Sequence, residues 1–240
     1  SRVWKIPAGI VSLSCSLVGT SLAEFGTEWQ RDEWLRDIFT NNLVTAVSLT
    51  EPQAGSDAAA LETAARRDGD ELVIDGHKVW TSHGEVADFL IVVARTGDEG
   101  DHGDVSLIGI PDPQSVDGLE FVRDIPCMEG DAVVESEVKY DGVRVPEENI
   151  IGEAGKGFKY MMRALDVGRI GAAAQGVGVA QGAMDASVDF ADEREQFGKS
   201  IREFQGVSFK LADMAMDIQA ARLLTIWAAK NLDDGNRVNK

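Results

Sequence analysis

The stretch Leu49-Thr50-Glu51-Pro52-Gln53-Ala54-Gly55-Ser56-Asp57 marks the point where the chain changes character. Val44 to Leu49 reads as a β-type run; small residues and turn formers then replace the apolar ones, which leaves backbone amides open to a ligand. Upstream, from Val11 to Thr40, apolar residues recur at helical spacing, and Thr27-Glu28-Trp29-Gln30 fits a capping box opening a helix that carries Trp29, Trp34, Leu35 and Ile38. Downstream, β-rich runs follow at Glu71 to Ile74, Val79 to Thr81, Phe89 to Ala94, Val105 to Ile110, Leu119 to Val122 and Ser136 to Tyr140. Asp68-Gly69 and Asp75-Gly76 supply turn chemistry between them, so the spacing predicts an antiparallel sandwich or barrel.

Beyond Gly155 the period is helical again, with one long segment through Glu195 and a second from about Ile201 to Leu232, broken by Phe197-Gly198-Lys199-Ser200. The expected fold class is α+β multidomain: the end of an N-terminal helical domain over 1–42, a middle antiparallel β-sandwich or barrel domain over 43–152, and the first long helices of a C-terminal helical bundle over 153–240. Two helices alone leave apolar faces that further helices would cover, so the bundle reads as unfinished.

The 240 residues are 44% hydrophobic, enough to bury a core. Forty-one acidic against 23 basic residues give a net charge of -18, which repels polyphosphates and argues against a nucleic-acid or anionic-membrane surface. No apolar run approaches a membrane span, and the start at Ser1 resembles neither a secretory signal nor a transit peptide. The simplest expectation is a cytoplasmic protein whose beginning has been removed. Its Asp-rich, Arg-favouring surface fits a salt-adapted, halophilic source. Cys15 and Cys127 stand far apart, form no CxxC motif and are expected to be reduced. His77, His83 and His102 lack zinc-ligand spacing, and no Gly-x-Ser-x-Gly or Walker sequence is present. Gly176-Val177-Gly178-Val179-Ala180-Gln181-Gly182 lies inside a helical pattern, where close packing explains it better than a dinucleotide fingerprint.

Thr50-Glu51-Pro52-x-Ala54-Gly55-Ser56-Asp57, in a chain that runs from helices to a β domain and back to helices, resembles the FAD-dependent acyl-CoA dehydrogenase family. The resemblance continues through Asp75-Gly76-His77-Lys78-Val79-Trp80-Thr81-Ser82, through Val143-Arg144-Val145-Pro146 with Gly152 and Gly157, and through Arg194-Glu195-Gln196-Phe197-Gly198-Lys199-Ser200-Ile201 with Phe204-Gln205. It implies that Leu49 and Thr50 hold the pyrimidine edge of the flavin, where reduction places negative charge that amides stabilise. Gly55 would permit close backbone approach, and Ser56 and Asp57 would bond nearby amides and shape the turn, with Ser56 on the substrate side. Trp80 is expected beside the flavin ring and Ser82 near its hydride-accepting nitrogen; alone, Trp80 reads as a core residue. Ser82 stands where many relatives have threonine, keeping the hydroxyl without the methyl. Arg194 and Phe197 correspond to residues that reach the FAD of a neighbouring subunit, the guanidinium serving the pyrophosphate and the ring covering the adenine region, with Gln205 assisting. A homodimer or homotetramer follows from that arrangement. Asp166 and Arg169 share one helical face and are expected to position the thioester region of an acyl-CoA substrate; an intrahelical salt bridge is the plain alternative.

The implied reaction is α,β-dehydrogenation of an acyl-CoA thioester to the trans-2-enoyl-CoA, within fatty acid or amino acid catabolism, with electrons passed to an electron-transfer flavoprotein. Its base is a glutamate, carried in the family on a late loop or on the long helix where this chain has Gly168. Gly168 excludes the helix-borne form, so the base is expected outside these residues, and this stretch alone is expected to be inactive. Two alternatives stay open: a non-catalytic flavin-binding or structural subunit of a heteromeric dehydrogenase, and a flavin oxidase or monooxygenase of the same fold.

Overall fold

The computed structural model describes residues 14–40, 43–97, 104–127 and 134–236. The helical reading before Ser14 and the position of His102 lie outside the described residues. Those residues fall into two compact units that divide between Leu165 and Asp166.

In the first unit, α1 (Thr20–Phe25), α2 (Glu28–Gln30) and α3 (Arg36–Thr40) are interleaved with π-helical turns at Ser14–Gly19 and Arg31–Leu35. The capping box is present: Thr27 Oγ1 accepts the Gln30 amide and Gln30 Oε1 accepts the Thr27 amide, both at 3.1 Å. The buried Gln30 also donates through Nε2 to the carbonyls of Glu148 (2.8 Å) and Ile150 (2.9 Å), which ties the helices to the β domain.

Among the described residues, eight strands form the sheet: β1 (Thr45–Ser48), β2 (Ala64–Asp68), β3 (Glu71–Ser82), β4 (Phe89–Arg95), β5 (Val105–Pro111), β6 (Leu119–Asp124), β7 (Glu135–Pro146) and β8 (Ile150–Ile151). Their order is β6-β7-β3-β2-β4-β5-β8, and β1 joins β4. Most neighbours are antiparallel, as expected, but β1 and β2 both run parallel to β4, so the sheet is mixed. β4 is buried on both faces, which explains its uninterrupted apolar sequence. Leu90, Val92 and Ala94 join residues of β3, β5 and β7 in one core; Phe89, Ile91 and Val93 meet Val18, Leu22, Trp34 and Ile38 in the other.

Three local readings are corrected. Asp75-Gly76 is not a turn: it lies within β3, at a register shift against β7. A Cβ at Gly76 would collide with the Thr63 side chain, so glycine there serves close packing. The separate runs at Glu71 and Val79 are therefore one strand. β2, with sequence Ala-Ala-Arg-Arg-Asp, carries little β propensity and is held by its hairpin with β3, where Gly69 at φ 70° makes the turn.

The long helices are α4 (Gly157–Glu193) and α5 (Gln205–Asp233). Between them lies a two-residue-arm hairpin, β9 (Glu195–Gln196) with β10 (Lys199–Ser200), turned by Phe197 and Gly198, both at positive φ. The second helix begins at Gln205, later than its apolar pattern suggests, because Ile201–Glu203 forms a 3₁₀ turn. Phe190, Phe209, Leu224 and Trp227 are among the exposed apolar side chains of these helices.

Candidate functional site

The strand β1 ends at Ser48, and Leu49 and Thr50 continue beyond it without regular structure. The Thr50 carbonyl accepts the Val79 amide at 2.9 Å, so the turn after β1 is fastened to the far half of β3. Among the described residues, the half-buried amides of Leu49 and Thr50 donate no hydrogen bond, and a Cβ built on Gly55 meets nothing within 4 Å. Unpaired amides of this kind suit an acceptor-rich ligand edge.

Ser56 and Asp57 are exposed, and Asp57 makes no side-chain cap. The expectation that these two side chains shape the turn is therefore corrected. Its backbone is closed by reciprocal 3.1 Å bonds between Glu51 and Ala54, and the Glu51 carboxylate anchors it by accepting the amides of Glu62 (2.6 Å) and Thr63 (2.9 Å).

That carboxylate pairs with Lys78 at 2.8 Å, with the two side chains 2% and 0% exposed. Lys78 Nζ also donates to the Leu49 carbonyl at 2.8 Å. Burial opposes charge on Glu51, yet the Lys78 ammonium and the surrounding donors outweigh it and hold the carboxyl down at about 2. Burial draws the Lys78 ammonium down to about 8, with Glu51 acting in the opposite direction. Sequence reasoning quoted both residues inside motifs but gave neither a role. The available signal was a lysine at a position where the β3 pattern places an inward side chain.

After Lys78 the strand shifts register, and Trp80 sits in the irregularity at φ 59°. The indole is 51% exposed, which excludes the plain core reading. A bulky residue in the left-handed region is strained, and the bulge turns its ring out of the strand's alternation. Thr81 is buried, its hydroxyl 3.1 Å from that of Ser48 across β1 and β3. Ser82 Oγ donates to Glu135 Oε1 at 2.7 Å, and His83, also left-handed, is buried beside it. Burial pushes the His83 imidazole below its ordinary range, with the Glu135 charge opposing. Glu135 was likewise missed.

The remaining candidates belong to the second unit. Asp166 and Arg169 form an i,i+3 ion pair at 2.7 Å. Together with Ile170, Ala173, Leu224, Thr225 and Ala228 they line a groove of about 250 Å³ between α4 and α5. Gly168 lies beside them on α4 and offers no side chain. Arg194, Phe197 and Gln205 gather at the opposite end of α4, roughly 37 Å away at the helical rise. The Arg194 carbonyl accepts the Ile201 amide at 2.8 Å, while its guanidinium is exposed and unpaired among the described residues. Phe197 is 93% exposed, its ring 6.1 Å from that of Phe204. The link is held by Arg202, which bonds both carboxylate oxygens of Asp192, and by Ser200 Oγ, which donates to the Ala191 carbonyl at 2.7 Å. No cluster of metal-ligating side chains occurs among the described residues, and no helix there is long and apolar enough to cross a membrane.

The acyl-CoA dehydrogenase middle-domain model matches residues 46–143, and the C-terminal-domain model matches residues 155–240. The caffeyl-CoA reductase-Etf complex subunit CarC of Acetobacterium woodii is 37% identical over 100% of this chain and 63% of its own. Among solved structures, butyryl-CoA dehydrogenase from Megasphaera elsdenii is similar with a TM-score of 0.90 and 36% identity, covering 95% of this chain and 59% of that one. PigA with FAD and proline is similar at 25% identity and a TM-score of 0.89, covering 95% and 59%. The chain thus spans less than two thirds of the length of these relatives.

Helices with a mixed β sheet, followed by long helices, match the middle β domain and the C-terminal helical domain of acyl-CoA dehydrogenases. The chain belongs to the acyl-CoA dehydrogenase family of oxidoreductases.

Proposed function

We propose that this protein binds FAD and catalyses α,β-dehydrogenation of an acyl-CoA thioester, passing electrons to an electron-transfer flavoprotein. One observation carries the reading: the Thr50–Val79 bond brings two unpaired amides, at Leu49 and Thr50, onto the same edge of the fold as the outward Trp80. These residues fit a flavin, with amides for its pyrimidine edge and an exposed indole for its ring. Bound there, FAD supplies the hydride acceptor. The chain's own residues would hold it: the Leu49 and Thr50 amides would stabilise negative charge at its pyrimidine edge, Trp80 would shield its ring from water, and Ser82, whose hydroxyl donates to Glu135, would serve the side of its hydride-accepting nitrogen.

Asp166 and Arg169 of the second unit are assigned to the acyl-CoA, and their ion pair fixes the arginine donors on one face of α4. Arg194, Phe197 and Gln205 are assigned to the FAD of a neighbouring subunit, which makes the protein a homodimer or homotetramer. Their distance along α4 from Asp166 supports separate destinations for the two clusters. The electron-transfer flavoprotein as acceptor rests on the likeness to CarC, named as part of a reductase-Etf complex. Gly168 supplies no base, so none of these residues is assigned the removal of the α-proton.

The test is anaerobic titration of the FAD-loaded, intact protein with butyryl-CoA. Loss of the yellow flavin absorbance supports the reading. Absence of bound flavin would favour the non-catalytic subunit, and rapid peroxide formation in air would favour an oxidase.

A further inference from the structure

The buried ion pair has a geometric consequence for the flavin-facing backbone, and it rests on the flavin reading above. In a trans peptide the carbonyl of one residue and the amide of the next point in opposite directions. Lys78 Nζ draws the Leu49 carbonyl inward at 2.8 Å, which turns the Thr50 N–H the other way. The next carbonyl, that of Thr50, is fixed by the Val79 amide at 2.9 Å, so two successive peptide planes are set by donors of the protein itself. Lys78 is itself held by Glu51 Oε1 at 2.8 Å, and Glu51 is anchored by Gln53 Nε2 (2.6 Å) and by the amides of Glu62 and Thr63. Burying such a pair gives little net stability compared with apolar side chains of similar volume. What an apolar replacement lacks is a donor that reaches the Leu49 carbonyl.

We propose that Lys78, braced by Glu51, is a positioning residue that sets the Leu49–Thr50 peptide plane and aims the Thr50 amide at the flavin before the flavin arrives. Neither side chain touches the cofactor. Both act through the backbone, and the seat is built in the ligand-free protein.

The experiment compares the intact wild type with K78M and with the double variant K78M/E51Q, reading FAD affinity by fluorescence titration, the flavin absorption band, and the denaturant midpoint. K78M leaves a buried carboxylate without its cation and loses both stability and FAD affinity. The double variant removes both buried charges but sets a side-chain NH2 against the donors of Gln53, Glu62 or Thr63; its folded protein still binds FAD at least tenfold more weakly, and the band shifts toward that of free FAD. A double variant that binds FAD within twofold of wild type, with an unchanged band, would overturn the proposal. Wild type that binds no FAD at all would overturn the flavin reading, and this one with it. Should neither variant fold, amide exchange in the wild type decides. Val79 is protected with or without FAD, and Thr50 exchanges freely until FAD slows it at least tenfold; protection of Thr50 before FAD is added, or no response to FAD, would overturn the proposal.

Discussion

The Val79 amide donates to the Thr50 carbonyl at 2.9 Å, and through that bond two motifs distant in sequence share one edge of the β domain. The bond fastens an irregular segment after β1 to the strand that carries Trp80, and the register shift beside it frees the indole from the core. The two unpaired amides and the exposed indole come from a break in regular structure, held by a buried charge pair.

Trp80 stores backbone strain. At φ 59° a left-handed tryptophan costs on the order of 1 kcal/mol, and glycine removes that cost. W80G is therefore expected to be more stable than W80A by about 1 kcal/mol, the reverse of the usual strand order. Urea unfolding of the ligand-free variants checks it. Both lose the ring cover, so both bind FAD more weakly than wild type.

Glu51 gives the fold an acid dependence. Its carboxyl lies at about 2 when folded, against an ordinary value of 4.5, so its stabilisation is fully present above pH 4.5 and is lost as the pH falls toward 2. Leaving Lys78 without its carboxylate by E51Q is expected to cost about 3 kcal/mol at neutral pH. The difference between wild type and E51Q should narrow progressively below pH 4.5, because the unfolded chain takes up a proton at Glu51 there while the folded carboxyl, at about 2, stays charged. Chemical unfolding of both proteins from pH 7 to 3 measures it; a gap independent of pH would contradict the charge-pair account.

Gln30 performs two jobs at once. Its side chain completes the capping box with Thr27 and satisfies the carbonyls of Glu148 and Ile150. Q30A strands those groups, one contact of which is fully buried, and is expected to cost roughly 2–4 kcal/mol. Q30E keeps the cap but cannot donate to the carbonyls, so it should recover only a small part of the loss in a thermal or urea melt.

Much of this was legible because the informative residues are local. Thr27-x-x-Gln30 announces its own cap, Asp68-Gly69 its own turn, and the apolar run Phe89 to Ala94 its own strand. The failures come from partners far away along the chain. Gly76 is dictated by Thr63 packing on it, so its pairing with Asp75 imitates a turn. Ala64–Asp68 becomes a strand because Glu71–Asp75 pairs with it. Lys78 and Glu51 look like ordinary surface charges until the strand places one behind the other, and Glu135 acquires meaning only from the register that sets it opposite Ser82.

The link between α4 and α5 separates binding from stability. Arg194 is exposed, and its backbone carbonyl, rather than its side chain, holds the turn by accepting the Ile201 amide. R194A is therefore expected to change unfolding free energy by less than about 0.5 kcal/mol. Loss of charge-assisted bonds to a pyrophosphate is worth about 1.5–3 kcal/mol, so FAD affinity should fall by roughly 10- to 100-fold. G198A does the opposite. Gly198 lies at φ 77° with open space around its Cα, so an added methyl meets no neighbour but strains the turn, costing about 1 kcal/mol. Urea melts and FAD titrations on both variants check the contrast: R194A should bind poorly while folding normally, and an R194A protein that binds FAD as wild type does would remove Arg194 from the cofactor site.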